Sequence, residues 1–268
     1  MPSVGIVYLV RHKDGMDPFR QFVESYRENP GGVNHELILA FKGFPFRKIP
    51  DSYVELTSGI RLRTFFTVDY GFDIRPYFLC AREFHFPYFC FLNSFSVLLD
   101  KEWLKKLLDW GSRDSIGAAG ATGSWESHFS NMIEGGECNP RILRKYESHY
   151  QPFPNPHLRT NAFLINRERF LSIRYGWMLT KNQAHRFESG RSGFTMQFLA
   201  KGFEPVVVGK DGCGYQRAKW PMSMTFRIGD QSNLLVADNQ TRQYILADPL
   251  RRAQLTHMAW GDPVNPRQ

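Results

Sequence analysis

Val4-Gly-Ile-Val-Tyr-Leu-Val10 and Glu36-Leu-Ile-Leu-Ala-Phe41 are two short, unbroken apolar runs, and what stands between them decides the fold. Each is too short for a helix that buries itself and reads as a strand covered on both faces. Between them, Phe19, Phe22, Val23 and Tyr26 recur at helical spacing, and Asn29-Pro-Gly-Gly32 stops that helix. Strand, helix, strand within about forty residues is a βαβ unit, which requires a parallel pair and a right-handed crossover.

Outward from this unit the alternation continues. Arg63–Val68 reads as a third strand, and Asp73–Glu83 as a helix that tolerates Pro76 in its first turns. Tyr88–Leu92 is a fourth strand. Lys101–Trp110 is a helix with Trp103, Leu104, Leu107 and Leu108 on one face. Ser115–Thr122 reads as a strand edge running into a loop, Thr160–Ile165 as a strand, Arg167–Ile173 as a short helix, Gly190–Ala200 as a helix and Glu204–Gly209 as a strand. Residues 123–156 give a weak signal, a helix or two and a long irregular loop. The last sixty residues show no period. The expectation is an α/β fold: a mostly parallel sheet flanked by helices, with an irregular C-terminal tail, as one domain over 1–268.

Composition narrows the function. Of 268 residues, 42% are hydrophobic and 22% charged, which excludes a disordered chain. Lys and Arg outnumber Asp and Glu by 34 to 26, a formal charge of +8, which favours anionic ligands. No run of five or six cations marks a nucleic-acid tail, and the Phe residues lie mostly inside apolar runs, so no specific nucleic-acid partner is expected. Cys80, Cys90, Cys138 and Cys213 have no CxxC spacing and predict buried free thiols in a reducing cytoplasm. Val4–Val10 lacks the flanks of a signal peptide, and no window reaches the roughly 20 apolar residues that spanning requires. No Gly-x-Ser-x-Gly, P-loop or HExxH pattern is present, which argues against hydrolase, kinase and zincin chemistry.

Repeated strand-then-helix units place ligands at the carboxyl ends of the strands. After the third strand, Asp69 and Asp73 flank Gly71; either acid could accept sugar hydroxyls or a base edge, or simply cap a helix. Asn93-Ser94 follows the fourth strand. Glu188 lies in a glycine-bearing turn before a helix, either a general base or a helix-start acid. His157-Leu-Arg159-Thr-Asn161 precedes an apolar strand, with Arg159 placed as an anion clamp.

These residues, in this order, resemble the family-2-like glycosyltransferases of the GT-A nucleotide-sugar fold, closest to bacterial relatives that build surface polysaccharides of the rhamnan-synthesis type. The resemblance covers residues 4–215, with the nucleotide-binding part over about 1–122 and the acceptor and catalytic part over about 123–268. Asp69-Tyr-Gly71-Phe-Asp73 is similar to the family's donor-binding segment, and Phe187-Glu188 to the region carrying its catalytic base. The resemblance implies transfer from a nucleotide-sugar donor to a glycan or lipid-linked glycan acceptor with inversion, at the cytoplasmic face of the inner membrane with peripheral contact. Glu188 would be the base. Asp69, Gly71, Asp73, Asn93, Ser94, Arg159 and Arg191 would bind the donor. Asn93-Ser94 replaces the family's Asp-x-Asp metal motif, so Mg2+ or Mn2+ would need other ligands, for which Asp69, Asp238 and His257 are the candidates; alternatively Arg159 and Arg191 neutralise the leaving diphosphate. A non-catalytic nucleotide- or glycan-binding scaffold is the competing expectation.

Overall fold

The computed structural model describes residues 3–261. Residues 1–2 and 262–268, the last of the tail expected over 220–268, lie outside them. The strands are β1 (Val4–Arg11), β2 (His35–Lys42), β3 (Leu62–Thr67), β4 (Tyr88–Leu92), β5 (Val97–Leu98), β6 (Ile116–Gly120), β7 (Gly123–Ser124), β8 (His157–Leu158), β9 (Ala162–Asn166), β10 (Glu204–Val208), β11 (Gly214–Tyr215) and β12 (Val236–Ala237). The α-helices are α1 (Asp17–Glu28), α2 (Asp51–Leu56), α3 (Ile74–Glu83), α4 (Trp103–Gly111), α5 (His128–Glu134), α6 (Pro140–His149), α7 (Arg167–Leu171), α8 (Lys181–Ser189), α9 (Phe194–Leu199), α10 (Asn239–Leu246) and α11 (Pro249–Trp260).

Eight strands form one sheet in the order β11-β10-β6-β9-β4-β1-β2-β3. β3, β2, β1 and β4 are mutually parallel, as are β6 and β10. β9 runs antiparallel between β4 and β6. The unbroken apolar run of β1 now has its cause: the strand is covered on both faces. Val4, Ile6, Tyr8 and Val10 pack with Phe19, Phe22 and Val23 of α1 and Trp103, Leu104 and Leu107 of α4. Val7 and Leu9 join Ile74, Tyr77 and Phe78 of α3 and Phe194 and Phe198 of α9 on the other face. Each such side chain stabilises the fold by about 1.5–3 kcal/mol.

Strand direction positions the site. The carboxyl ends of β1 to β4 share one edge of the sheet. Because β9 is antiparallel and Ala162 pairs with Leu92, the residues leading into β9, from Arg159 to Asn161, arrive at that same edge.

Four expectations need correction. Ser115–Thr122 is not a marginal strand: β6 is fully buried inside the sheet, and its small residues let a helix approach, since a Cβ on Gly117 would lie 2.7 Å from the Phe198 ring. Glu188, read in a turn, lies in the helix α8, started by a capping box in which Thr180 and Gln183 satisfy each other's backbone. The tail holds α10 and α11, capped by Asp238 and Asp248; α11 buries only Leu255, Ala259 and Trp260, too few for a legible stripe. Of the four free thiols, Cys80 and Cys90 are buried, whereas Cys138 and Cys213 are exposed.

Candidate active site

The carboxyl edge of the parallel strands gathers charge. Arg11 ends β1 and Lys42 ends β2, while Asp69 stands just past β3. Arg11 Nε lies 3.1 Å from Asp69 Oδ1, Lys13 Nζ 3.0 Å from Oδ2 and Lys42 Nζ 3.6 Å from Oδ1. Burial would raise the Asp69 carboxyl, but hydrogen bonds from Arg11 and Lys13, with the nearby charges, outweigh it and hold it at about 2. Lys42 is 3% exposed, and burial pulls its pKa down against the pull of Asp73 and Asp69. Its Nζ also donates to the Phe72 carbonyl at 2.6 Å, which ties the Asp69–Asp73 turn to β2. Gly71 and Phe72 both take positive φ there, 81° and 50°.

Asp73 occupies the N-cap of α3 but makes no capping bond, and its carboxyl accepts no hydrogen bond among the described residues. Burial raises its pKa; Lys42 and Arg11 oppose, while Asp14 and Glu188 add to the rise. Asp73 thus feels charges from the β1 turn on one side and from Glu188 on the other.

At the end of β4, Asn93 turns inward: its Oδ1 accepts from Phe95 N at 3.1 Å and Ser96 Oγ at 3.0 Å. Ser94 Oγ donates to Asp14 Oδ2 at 2.5 Å, and Tyr8 OH to the Ser94 carbonyl at 2.6 Å. A carboxylate therefore does stand beside this strand end, supplied by the turn after β1.

Glu188 lies in the last turn of α8, not at a helix start, so the helix dipole does not favour its charge. It is half-buried. Its Oε2 accepts from both Thr160 N and Thr160 Oγ1, each at 2.6 Å. Burial would raise its pKa, but the charges of His157 and Arg159 and the two Thr160 bonds bring the net shift down. Among the described residues Oε1 accepts no hydrogen bond. The result is an ionised carboxylate with one oxygen anchored and one open.

Beside it, His128 and His185 stack in parallel with ring centroids 4.8 Å apart. Burial, then the neighbouring His185, pulls His128 down to about 4, and burial also lowers His185. Both are neutral at pH 7. Asn155, 1% exposed, braces this side by donating to the Ser189 carbonyl at the end of α8 and to the Glu126 carbonyl.

Several residues singled out from sequence are engaged elsewhere. Arg159 is buried, 2.6 Å from Asp238 Oδ2, with its guanidinium 4.1 Å above the Phe226 ring. Arg191 Nε donates to the Glu147 and Tyr150 carbonyls at the end of α6. Asp238 also caps α10, and His257 lies 3.4 Å from Glu134. Among the described residues no group of three His, Cys, Asp or Glu side chains could hold a metal ion, so Asp69, Asp238 and His257 do not form a ligand set. A hard divalent cation takes several oxygen ligands. At the β4 end Asn93 is turned away, Asp14 is bonded to Ser94 and Asp69 is held by three cations, so these side chains do not fit a protein-held Mg2+ or Mn2+.

Sequence reasoning missed Arg11, Lys13, Asp14, Lys42, Thr160 and the His128–His185 pair. The signal for Arg11 and Lys42 was present: each is the cation that closes an apolar strand.

No protein-family model matches the chain, and no curated protein matches its sequence. Solved structures do resemble it. A mannosyltransferase, PcManGT from Pyrobaculum calidifontis in complex with GDP-Man and Mn2+, aligns with a TM-score of 0.50 at 10% identity, over 81% of this chain and 57% of that one. The bifunctional glycosyltransferase WbbM aligns at 0.44 and 13% identity, over 69% and 37%. TarS of S. aureus aligns at 0.35 and 12%, over 45% and 35%. This chain thus spans little more than half the length of the mannosyltransferase. The likeness to that enzyme is one of fold: a GT-A-type, mostly parallel sheet flanked by helices.

Proposed function

We propose that the chain transfers a sugar from a nucleotide-sugar donor to an acceptor hydroxyl, with inversion. The observation that carries this reading is Glu188: an ionised, anchored carboxylate with one open oxygen, within electrostatic reach of Asp73 at the carboxyl edge of the parallel strands. The fold shared with the mannosyltransferase adds support.

In this reading the nucleoside lies over the turn after β3. A cleft of about 230 Å3 there is lined by Phe44, Arg47, Phe66 and Asp69, and Asp73 offers an open carboxyl to sugar hydroxyls. Glu188 Oε1 takes the proton of the acceptor hydroxyl. The acceptor oxygen attacks the anomeric carbon as the bond from that carbon to the diphosphate oxygen breaks. The electron pair leaves with the nucleoside diphosphate, whose charge the solvent-facing Arg11 and Lys13 neutralise. In this reading these two, rather than Arg159 and Arg191, are the cations of the donor edge. A glycan or lipid-linked glycan acceptor, and a part in surface-polysaccharide assembly, agree with this chemistry. Among the described residues no helix is long and apolar enough to cross a membrane.

A second reading, a binding protein without turnover, rests on Asn93, which faces its own backbone where a metal-binding acid is expected. Release of nucleoside diphosphate from a panel of nucleotide sugars, with hydroxyl acceptors, separates the two. Glu188→Gln should cut release by about 10²–10⁴-fold and leave donor affinity within a few-fold. Wild-type turnover in that variant would remove Glu188 from the mechanism.

A further inference from the structure

A second cavity, of about 840 Å3, lies between α8, α9 and residues 172–178. This is the size of a small-molecule site. Its floor is aromatic, with Tyr175 and Phe187, and Trp177 stands at its rim, 80% exposed. Arg174, Arg186 and Lys201 line it, and none of the described lining residues is acidic. Lys201 Nζ is held by Ser172 Oγ at 2.7 Å. The Arg174 and Arg186 guanidinium groups make no hydrogen bond or ion pair among the described residues, so both are open to a ligand.

The wall is built rather than loose. Gln197 grips Arg174 from both sides: its Oε1 accepts from Arg174 N at 2.8 Å, and its Nε2 donates to the Arg174 carbonyl at 2.9 Å. Tyr175 stacks on Phe78 with centroids 3.9 Å apart. Tyr70 OH donates to the Trp177 carbonyl at 2.5 Å, which joins the rim to the Asp69–Asp73 turn. The loop therefore presents Arg174 from a fixed main chain, facing Arg186 on α8 across the cavity.

We propose that this cavity binds a phosphate ester carrying an apolar stem, the phosphate between Arg174 and Arg186 and the stem along Tyr175, Phe187 and Trp177. Guanidinium forks match phosphate oxygens, while an aromatic floor removes apolar surface from water. A purely hydrophilic anion would leave the floor unused, and a neutral lipid would leave the arginines unpaired. Phe187 adjoins Glu188 in the chain, so the site sits beside the proposed base, yet its ligand class stands independently of transfer.

The test is calorimetric titration of the whole chain with hexyl phosphate, with inorganic phosphate, and with vesicles of phosphatidylcholine containing phosphatidic acid. Hexyl phosphate should bind about tenfold more tightly than inorganic phosphate, which a few buried methylenes are enough to supply. Arg174→Gln with Arg186→Gln should weaken it about tenfold or more, while Glu188→Gln should leave it unchanged, so a failure of the transferase reading would not disturb the result. Both arginines are exposed, and an unchanged thermal melt would confirm that the double variant is folded. Hexyl phosphate binding without vesicle binding assigns a soluble phosphate ester; arginine-dependent binding of both assigns a lipid headgroup. Absence of saturable binding, equal affinity for inorganic phosphate, or affinity unaltered in the double variant overturns the proposal.

Discussion

Thr160 holds Glu188 with two groups at once: its main-chain N–H and its Oγ1–H both donate to Oε2 at 2.6 Å. Both bonds favour the charged carboxylate. Thr160→Val keeps the volume and the main-chain bond but deletes the hydroxyl donor. The carboxyl pKa then rises, so the acid limb of the kcat–pH profile should move to higher pH. At neutral pH the carboxylate stays ionised, so kcat should change by only a few-fold, through the lost anchoring of Glu188, with donor KM little changed. A Thr160→Ser variant should restore both the rate and the limb. An acid limb that stays in place in Thr160→Val would show that Glu188 does not set it.

The parallel half of the sheet was legible because burial on both faces leaves unbroken apolar runs such as Val4–Val10. Asp69 and Asp73 stand after β3, where the sequence reading places them as candidates. Glu188 was a candidate by residue type, and its helical setting was not legible. Its helix, α8, is polar along most of its length and buries little besides Phe187 and Ser189, so no apolar period announced it. Arg159 shows the opposite failure: an arginine before a strand suggests an anion clamp, and only tertiary structure reveals Asp238 beside it. The cations Arg11 and Lys42 converge on Asp69 from strands far apart in sequence, and no local pattern encodes that meeting.

In the proposed reading the donor edge carries cations where the family that the sequence resembles has its Asp-x-Asp motif, so affinity for the diphosphate should depend on side-chain charge. Arg11→Gln with Lys13→Gln removes two cations from around Asp69. The donor dissociation constant should rise by about tenfold or more, with stronger salt dependence in the wild type than in the variant. Chelation of divalent ions should leave wild-type kcat within about twofold, because the described carboxylates Asp14 and Asp69 of this edge are engaged by Ser94 and by cations and do not fit a divalent ion. Loss of turnover on chelation, restored by Mn2+, would overturn this assignment.

Gly71 sets the turn that carries Asp69 and Asp73. Its φ is +81°, and a Cβ there would lie 2.4 Å from Arg75 Cβ. Gly15 has a similar φ, +74°, with nothing within 4 Å of an added Cβ. Gly15→Ala therefore meets a conformational cost without a clash, about 1–3 kcal/mol, because with ψ at −167° its backbone lies in a region almost confined to glycine. Gly71→Ala adds a backbone-proximal clash and should cost about 3–5 kcal/mol in urea unfolding. Because Lys42 holds the Phe72 carbonyl in this turn, donor affinity should fall in Gly71→Ala and stay level in Gly15→Ala. Equal losses of stability in the two variants would refute the steric argument.

His128 should make the surroundings of Glu188 acid-sensitive. Burial and the stacked His185 lower it from 6.5 to about 4, so between those values the unfolded chain binds a proton that the folded chain does not. Stability therefore rises with pH across this window: the full contribution is present above about pH 6.5 and is lost as pH falls towards 4. The loss from this residue amounts to at most about 3 kcal/mol, and coupling to His185 spreads it across both rings. His128→Phe keeps a flat ring against Tyr150 and His185, whose centroids stand 5.0 and 4.8 Å away, but cannot titrate. Urea unfolding at pH 7.5, 6, 5 and 4.5 should show a shallower acid slope in the variant than in the wild type, with the two closest at pH 7.5. Parallel slopes would mean that the histidine pair takes up its proton without disturbing the fold, and that the stacked rings open to solvent before they charge.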